Sequence, residues 1–145
     1  MSSILLALQF FTSLPVRKEL PLGKNEVSGM YIALPLIGGG IGLLLAGTAM
    51  VFSDFNSFLA AMLILIAGII ATGGLHVDGF ADLGDAFFSY QDREKRLTIM
   101  EDPRLGAFGT LSLLVLLGLK VGLFMEILGM KHGWVLLVAV PILCR

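Results

Sequence analysis

Between Val27 and Val77 the chain carries a single charged side chain, Asp54. A helix that crosses a bilayer needs about 20 apolar residues at roughly 1.5 Å rise each, so a run of this length is two crossings joined by a tight turn. Ser53-Asp54-Phe55-Asn56 supplies that turn. The surrounding composition agrees: 57% of the 145 residues are hydrophobic and 14% charged, against about 25% charged in an ordinary soluble domain. Ten Lys and Arg against eleven Asp and Glu leave a net charge of -1, so no basic excess exists to neutralise a phosphate backbone, and nucleic-acid binding is excluded. The one cysteine, Cys144, can form no internal disulfide.

The fold class expected is all-α: a polytopic transmembrane helical bundle with an N-terminal interfacial helix. The interfacial helix is read over 4–14, because Ile4–Leu14 is short, holds Gln9 and Thr12 and stops at Pro15. Spans are placed at about 27–52, 57–76 and 105–130. A partial span, 133–145, is too short to cross, which reads as truncation at the C-terminus. The whole is one integral membrane domain with a polar motif loop over 76–104. Arg17, Lys18 and Lys24 precede the first span, and Arg93, Lys95, Arg96 and Arg104 precede the third. A two-helix hairpin returns the chain to the same side, and positive charge stays cytoplasmic, so both basic segments and the motif loop face the cytoplasm.

Seven of the eleven acids lie between His76 and Arg104: Asp78, Asp82, Asp85, Asp92, Glu94, Glu101 and Asp102. Asp78, Asp82 and Asp85 follow an i, i+4, i+7 spacing, which puts three carboxylates on one helix face. No Lys or Arg occurs from His76 through Asp92, and three like charges on one stripe repel unless a cation sits among them. Oxygen ligands without cysteine favour a hard divalent ion, Mg²⁺ or Mn²⁺, over zinc. A solvated acidic loop is the alternative. Downstream, Asp92 reads as the N-cap of a short helix through Met100, with Leu97 and Met100 inward, Arg93 and Arg96 outward, and Pro103 ending it. Arg104 has the planar fork for a phosphate and equally suits an interface anchor. Gly106 and Gly109 let the start of the third span pack close to a neighbouring backbone, and Gly38-Gly39-Gly40-Ile41-Gly42 marks helix packing or a kink inside the first. Lys120 and Glu126, six apart, lie on different faces and do not pair.

The run Gly73-Gly74-Leu75-His76-Val77-Asp78-Gly79-Phe80-Ala81-Asp82-Leu83-Gly84-Asp85, followed by Leu97-Thr98-Ile99-Met100-Glu101-Asp102-Pro103-Arg104-Leu105-Gly106, resembles the signature of the cobalamin synthase (adenosylcobinamide-GDP ribazoletransferase) family. Phe10-Phe11-Thr12-Ser13-Leu14-Pro15-Val16 and Leu34-Pro35-Leu36-Ile37-Gly38 are similar to its N-terminal segment and first spanning helix. The resemblance implies a Mg²⁺-dependent transferase of the bacterial cytoplasmic (inner) membrane acting in the final assembly of vitamin B12. A ribose hydroxyl of α-ribazole, or of its 5′-phosphate, attacks the phosphate attached to cobinamide in adenosylcobinamide-GDP, and GMP leaves. On this basis Asp78, Asp82 and Asp85 are assigned to the metal, with Asp82 also the catalytic acceptor of the hydroxyl proton. Asp102, Arg104, Glu94 and His76 are assigned to the substrate, although a helix-end histidine with a satisfied hydrogen bond is the commoner case. Expected partners are the two substrates and the lipid bilayer, with a homo-oligomer left open.

Departures from the family pattern are Ser13, where Arg is frequent, and Ala86, where Gly is usual. Family chains are also longer, with a further acidic, glycine-containing segment near the C-terminus that is absent here. A CDP-alcohol phosphotransferase fits poorly, because its signature places Ala-Arg where Ala81-Asp82 stand. A cation transporter would need ionisable groups facing one another at mid-membrane.

Overall fold

The structure, a computed structural model, describes residues 2–15 and 23–144. Arg17 and Lys18, two of the three residues of the first basic segment, lie outside these. The described residues form seven α-helices and no strand: α1 (Ser2–Phe11), α2 (Lys24–Val51), α3 (Ser57–Thr72), α4 (Leu75–Phe88), α5 (Arg93–Glu101), α6 (Ala107–Gly129) and α7 (Gly133–Leu143). The all-α expectation holds. By length and apolar composition α2 and α6 are each able to cross a membrane. At 16 residues, α3 alone falls short of the roughly 20 that a crossing needs.

The chain divides into two compact units, Met1–Gly73 with Val121–Arg145, and Gly74–Lys120. In the first unit, Met30, Ala33, Ile37, Ile41, Leu45 and Ala49 of α2 recur at helical spacing and form a buried stripe, joined by Leu6 and Ala7 of α1, Ile64 of α3 and Leu137 of α7. The opposite side of α2 is equally apolar yet exposed, with Ile32 at 81%. A helix hydrophobic on every side is one that water does not solvate. Gly38 and Gly42 let α7 approach backbone to backbone: a Cβ at Gly38 would run into the Pro141 carbonyl, and one at Gly42 would lie 2.7 Å from the Cα of Val138. The glycine run is therefore a packing surface, as its sequence suggests.

Helix ends follow local chemistry. Asn56 caps α3, its side chain accepting the Leu59 N–H at 2.8 Å, so the turn at Asp54 lies where the sequence puts it. The N-terminal helix covers Ser2–Phe11 instead of 4–14, since Thr12 turns its hydroxyl back onto the Leu8 carbonyl at 2.6 Å and the next residue, Ser13, donates its N–H to Ala71 at 2.9 Å. The second expected span ends four residues early. Gly73 and Gly74 adopt left-handed φ of 64° and 75°, which breaks the helix after Thr72.

Candidate active site

The polar motif segment 76–104 holds two helices, α4 and α5, in keeping with the aspartate spacing and the Asp92 cap. Among the described residues of this second unit, α4 carries Asp78, Asp82 and Asp85, and α5 carries Glu94. The α-helical backbone runs unbroken from Leu75 to Phe88, so the i, i+4, i+7 reading of the aspartates holds in the structure. Asp78 lies in the first turn of α4, exposed, where the helix dipole favours a negative charge. Asp82 is half-buried. The Asp78 N–H donates to the Gly74 carbonyl at 2.9 Å, but neither carboxylate has a hydrogen-bond or ion-pair partner among the described residues.

Asp85 differs from both. Its Oδ2 accepts the Gly106 N–H at 2.7 Å and its Oδ1 accepts the Gly109 N–H at 2.8 Å. Gly106 stands at the N-cap of α6, its carbonyl accepting the Thr110 N–H at 3.1 Å, and Gly109 is three residues on. Those are the two amides that the side chains of a capping box satisfy. Glycine has no side chain to do so, and the carboxylate of α4 takes both. Close approach needs the glycines: a Cβ at either position would strike the Asp85 carboxylate, and at Gly109 it would also lie 2.8 Å from the Ala81 carbonyl oxygen. Gly84 faces Ser112 in the same way. Phe88 of α4 stacks on Phe108 of α6 at 5.7 Å between ring centroids. The close packing that Gly106 and Gly109 predicted is present. Their service to Asp85, and the parts of Gly84 and Ser112, carry no signal in the sequence pattern.

Between α5 and α6 lies the second half of the signature. Asp92 caps α5, accepting the Lys95 N–H at 3.0 Å, as its sequence position implies. The inward face predicted for α5 is not observed: Leu97 and Met100 are 53% and 42% exposed. Half-buried Arg96 donates its Nε to the Gln91 carbonyl at 2.8 Å, which turns that face of the helix toward the α4–α5 link instead. After Glu101, Arg104 closes a fork on Asp102, with Nη2 to Oδ2 at 2.8 Å, Nε to Oδ1 at 3.0 Å, and its own backbone N–H to Oδ1 at 3.0 Å. The guanidinium holds the Asp102 carboxyl below the usual carboxylate range, and the carboxylate raises the Arg104 pKa. The Arg104 side chain is 87% exposed, so its outer edge is open to another anion. Glu94 and His76 are exposed as well.

No three His, Cys, Asp or Glu side chains among the described residues are gathered closely enough to hold an ion between them. Asp78 and Asp82, a turn apart and with oxygen donors only, do match the pattern by which Mg²⁺ takes one or two carboxylates and fills its remaining positions with water and substrate phosphate.

The family model for cobalamin-5-phosphate synthase (CobS) matches residues 3–145. The chain belongs to this family. Among CobS relatives, an adenosylcobinamide-GDP ribazoletransferase of Geobacillus kaustophilus is 43% identical over 144 residues, covering 97% of this chain and 55% of the relative. Proteins of the same name from Halalkalibacterium halodurans and Clostridioides difficile are each 37% identical, covering all of this chain and 57% and 56% of their own lengths. The chain thus spans about half the length of the curated CobS relatives it matches. No solved structure matches it.

Proposed function

We propose that this chain carries the cation-binding and phosphate-positioning part of an adenosylcobinamide-GDP ribazoletransferase of the bacterial cytoplasmic membrane, with α4 and α5 on the cytoplasmic side. The observation that carries the reading is the pair of carboxylates, Asp78 and Asp82, on successive turns of α4 and without a side-chain partner among the described residues, with the exposed guanidinium of Arg104 on the turn whose end, Gly106, is bonded to Asp85 of the same helix. Family membership and the printed name of its relatives support the reaction class. The basic side chains Arg93, Lys95, Arg96 and Arg104 in this segment support the orientation.

In the proposed reaction a ribose hydroxyl of α-ribazole, or of its 5′-phosphate, forms a new bond to the phosphorus attached to cobinamide. The bond from that phosphorus to the bridging oxygen breaks, and GMP leaves with the electron pair. Asp78 and Asp82 would hold Mg²⁺, which when bound neutralises charge on the diphosphate oxygens. Asp82, the less exposed of the two, accepts the proton of the attacking hydroxyl. Arg104 keeps one edge of its guanidinium on Asp102 and offers the other to a phosphate, while Glu94 and His76 border the same segment as weaker candidates for substrate contact. Phosphoryl transfer asks mainly for positioning and charge neutralisation, which carboxylates and one guanidinium provide.

The test is turnover of adenosylcobinamide-GDP and α-ribazole by the protein reconstituted in liposomes, with and without Mg²⁺. Asp82→Asn is expected to lower turnover by about a hundredfold or more while leaving helical content by circular dichroism unchanged. Near-normal turnover by Asp82→Asn would remove that residue from the mechanism. A reporter inserted after Tyr90 should read as cytoplasmic, and a periplasmic signal there overturns the orientation.

A further inference from the structure

We propose that Asp85 is a positioning residue and not a cation ligand: it ties the turn that carries Arg104 to the helix that carries Asp78 and Asp82. The inference rests on the reading of the site just given and assigns one of its three aspartates a different task.

The geometry points this way from both sides of the contact. On α4, Asp85 differs from Asp78 and Asp82 in having both oxygens engaged, to Gly106 and Gly109. On α6, the N-cap and third residue are both glycine, so no local side chain serves these amides, and any side chain there would displace the carboxylate. The turn itself has few other ties. It starts where the Asp102 N–H reaches the Ile99 carbonyl at 3.2 Å, and it ends at Gly106. Between these points the bonds that Arg104 makes among the described residues all go to Asp102, two residues away, so the fork moves with the backbone that bears it. Asp85 is the contact from another helix that fixes this backbone. Because it lies on the same rigid helix as Asp78 and Asp82, it sets where the guanidinium sits relative to them. Each Asp85 oxygen keeps a second lone pair, so the assignment is decided by experiment and not by valence.

The protein in nanodiscs, labelled with ¹⁵N-glycine, allows exchange at the Gly106 and Gly109 amides to be followed together with Mn²⁺ binding by electron paramagnetic resonance. In Asp85→Asn the amide nitrogen of the new side chain faces a donor. Exchange at both glycines is then expected to rise about tenfold or more, with the Mn²⁺ dissociation constant within about threefold of the unmodified protein. KM for adenosylcobinamide-GDP should rise by a larger factor than kcat falls. Asp82→Asn should do the reverse, weakening Mn²⁺ about tenfold or more and leaving glycine exchange unchanged. Gly109→Ala, which adds a methyl and no ligating atom, should reproduce Asp85→Asn, and it covers the case in which that variant does not fold. The proposal is overturned if Asp85→Asn weakens Mn²⁺ as much as Asp82→Asn does, or if the two glycine amides exchange at their original rates. Absence of Mn²⁺ binding in the unmodified protein would instead sink the cation reading and leave the exchange and KM comparison to decide the role of Asp85.

Discussion

Glycine is used in opposite ways in the two units. In the first, Gly38 and Gly42 remove side chains so that two apolar helices meet backbone to backbone, with the Pro141 carbonyl and the Val138 Cα filling the space. In the second, Gly106 and Gly109 make room for a charged side chain and hand it their N–H groups. The first arrangement gains dispersion contacts where lipid offers no hydrophobic drive for association. The second satisfies polar groups at a helix start. A glycine-rich membrane sequence therefore does not announce which use a given glycine serves; the neighbour decides.

Substitutions separate the two uses. The largest effect on stability is expected from Gly38→Val, because the atoms in its way belong to backbone and cannot rotate aside. It should cost about 3 kcal/mol in a denaturation series of the reconstituted protein. A loss under half of that would show that α7 slides along α2 and that the close approach is not fixed. Next come the caps, one in each unit. Asn56→Ala and Asp92→Ala each remove a single accepted N–H and should cost about 1 kcal/mol, the first seen in global unfolding and the second in hydrogen exchange confined to α5. Equal global effects would mean that the units unfold together.

The smallest expected effect is that of pH. The Asp102 carboxyl is held below its ordinary value by Arg104, so the stabilisation from the pair is complete above the unfolded aspartate pKa of about 3.9 and is lost as pH falls through the lower folded value. The Asp102 carboxyl carbon signal, followed by NMR, should titrate below that of an unpaired aspartate and move toward it in high salt, given how exposed Arg104 is. A midpoint at the ordinary value would remove the pair.

Much of this was legible in the chain because it depends on near neighbours. The aspartate face of α4 follows from spacing alone, and the caps at Asn56 and Asp92 follow from residue type next to a periodic run. The family signature is equally local. What escaped depends on distant pairs or on backbone state. Asp85 meets glycines 21 and 24 residues away, a relation that no periodicity encodes. Arg104 turns onto Asp102 at i−2, outside the spacings at which helical side chains meet, so the pair is not visible in a sequence that offers Arg104 as a phosphate contact or an interface anchor. Two left-handed glycines ended α3 early where composition alone would carry the helix through. Leu97 and Met100 read as inward on apolarity, but both are exposed, and Arg96 is half-buried with its Nε bonded to the Gln91 carbonyl.

The glycine start of α6 has a consequence for biogenesis. A membrane-crossing helix usually carries its own signal for where to begin, yet here the acceptor for its first amides was synthesised some twenty residues earlier, on α4. Because α4 leaves the ribosome first, the carboxylate that accepts these amides is already made when they emerge.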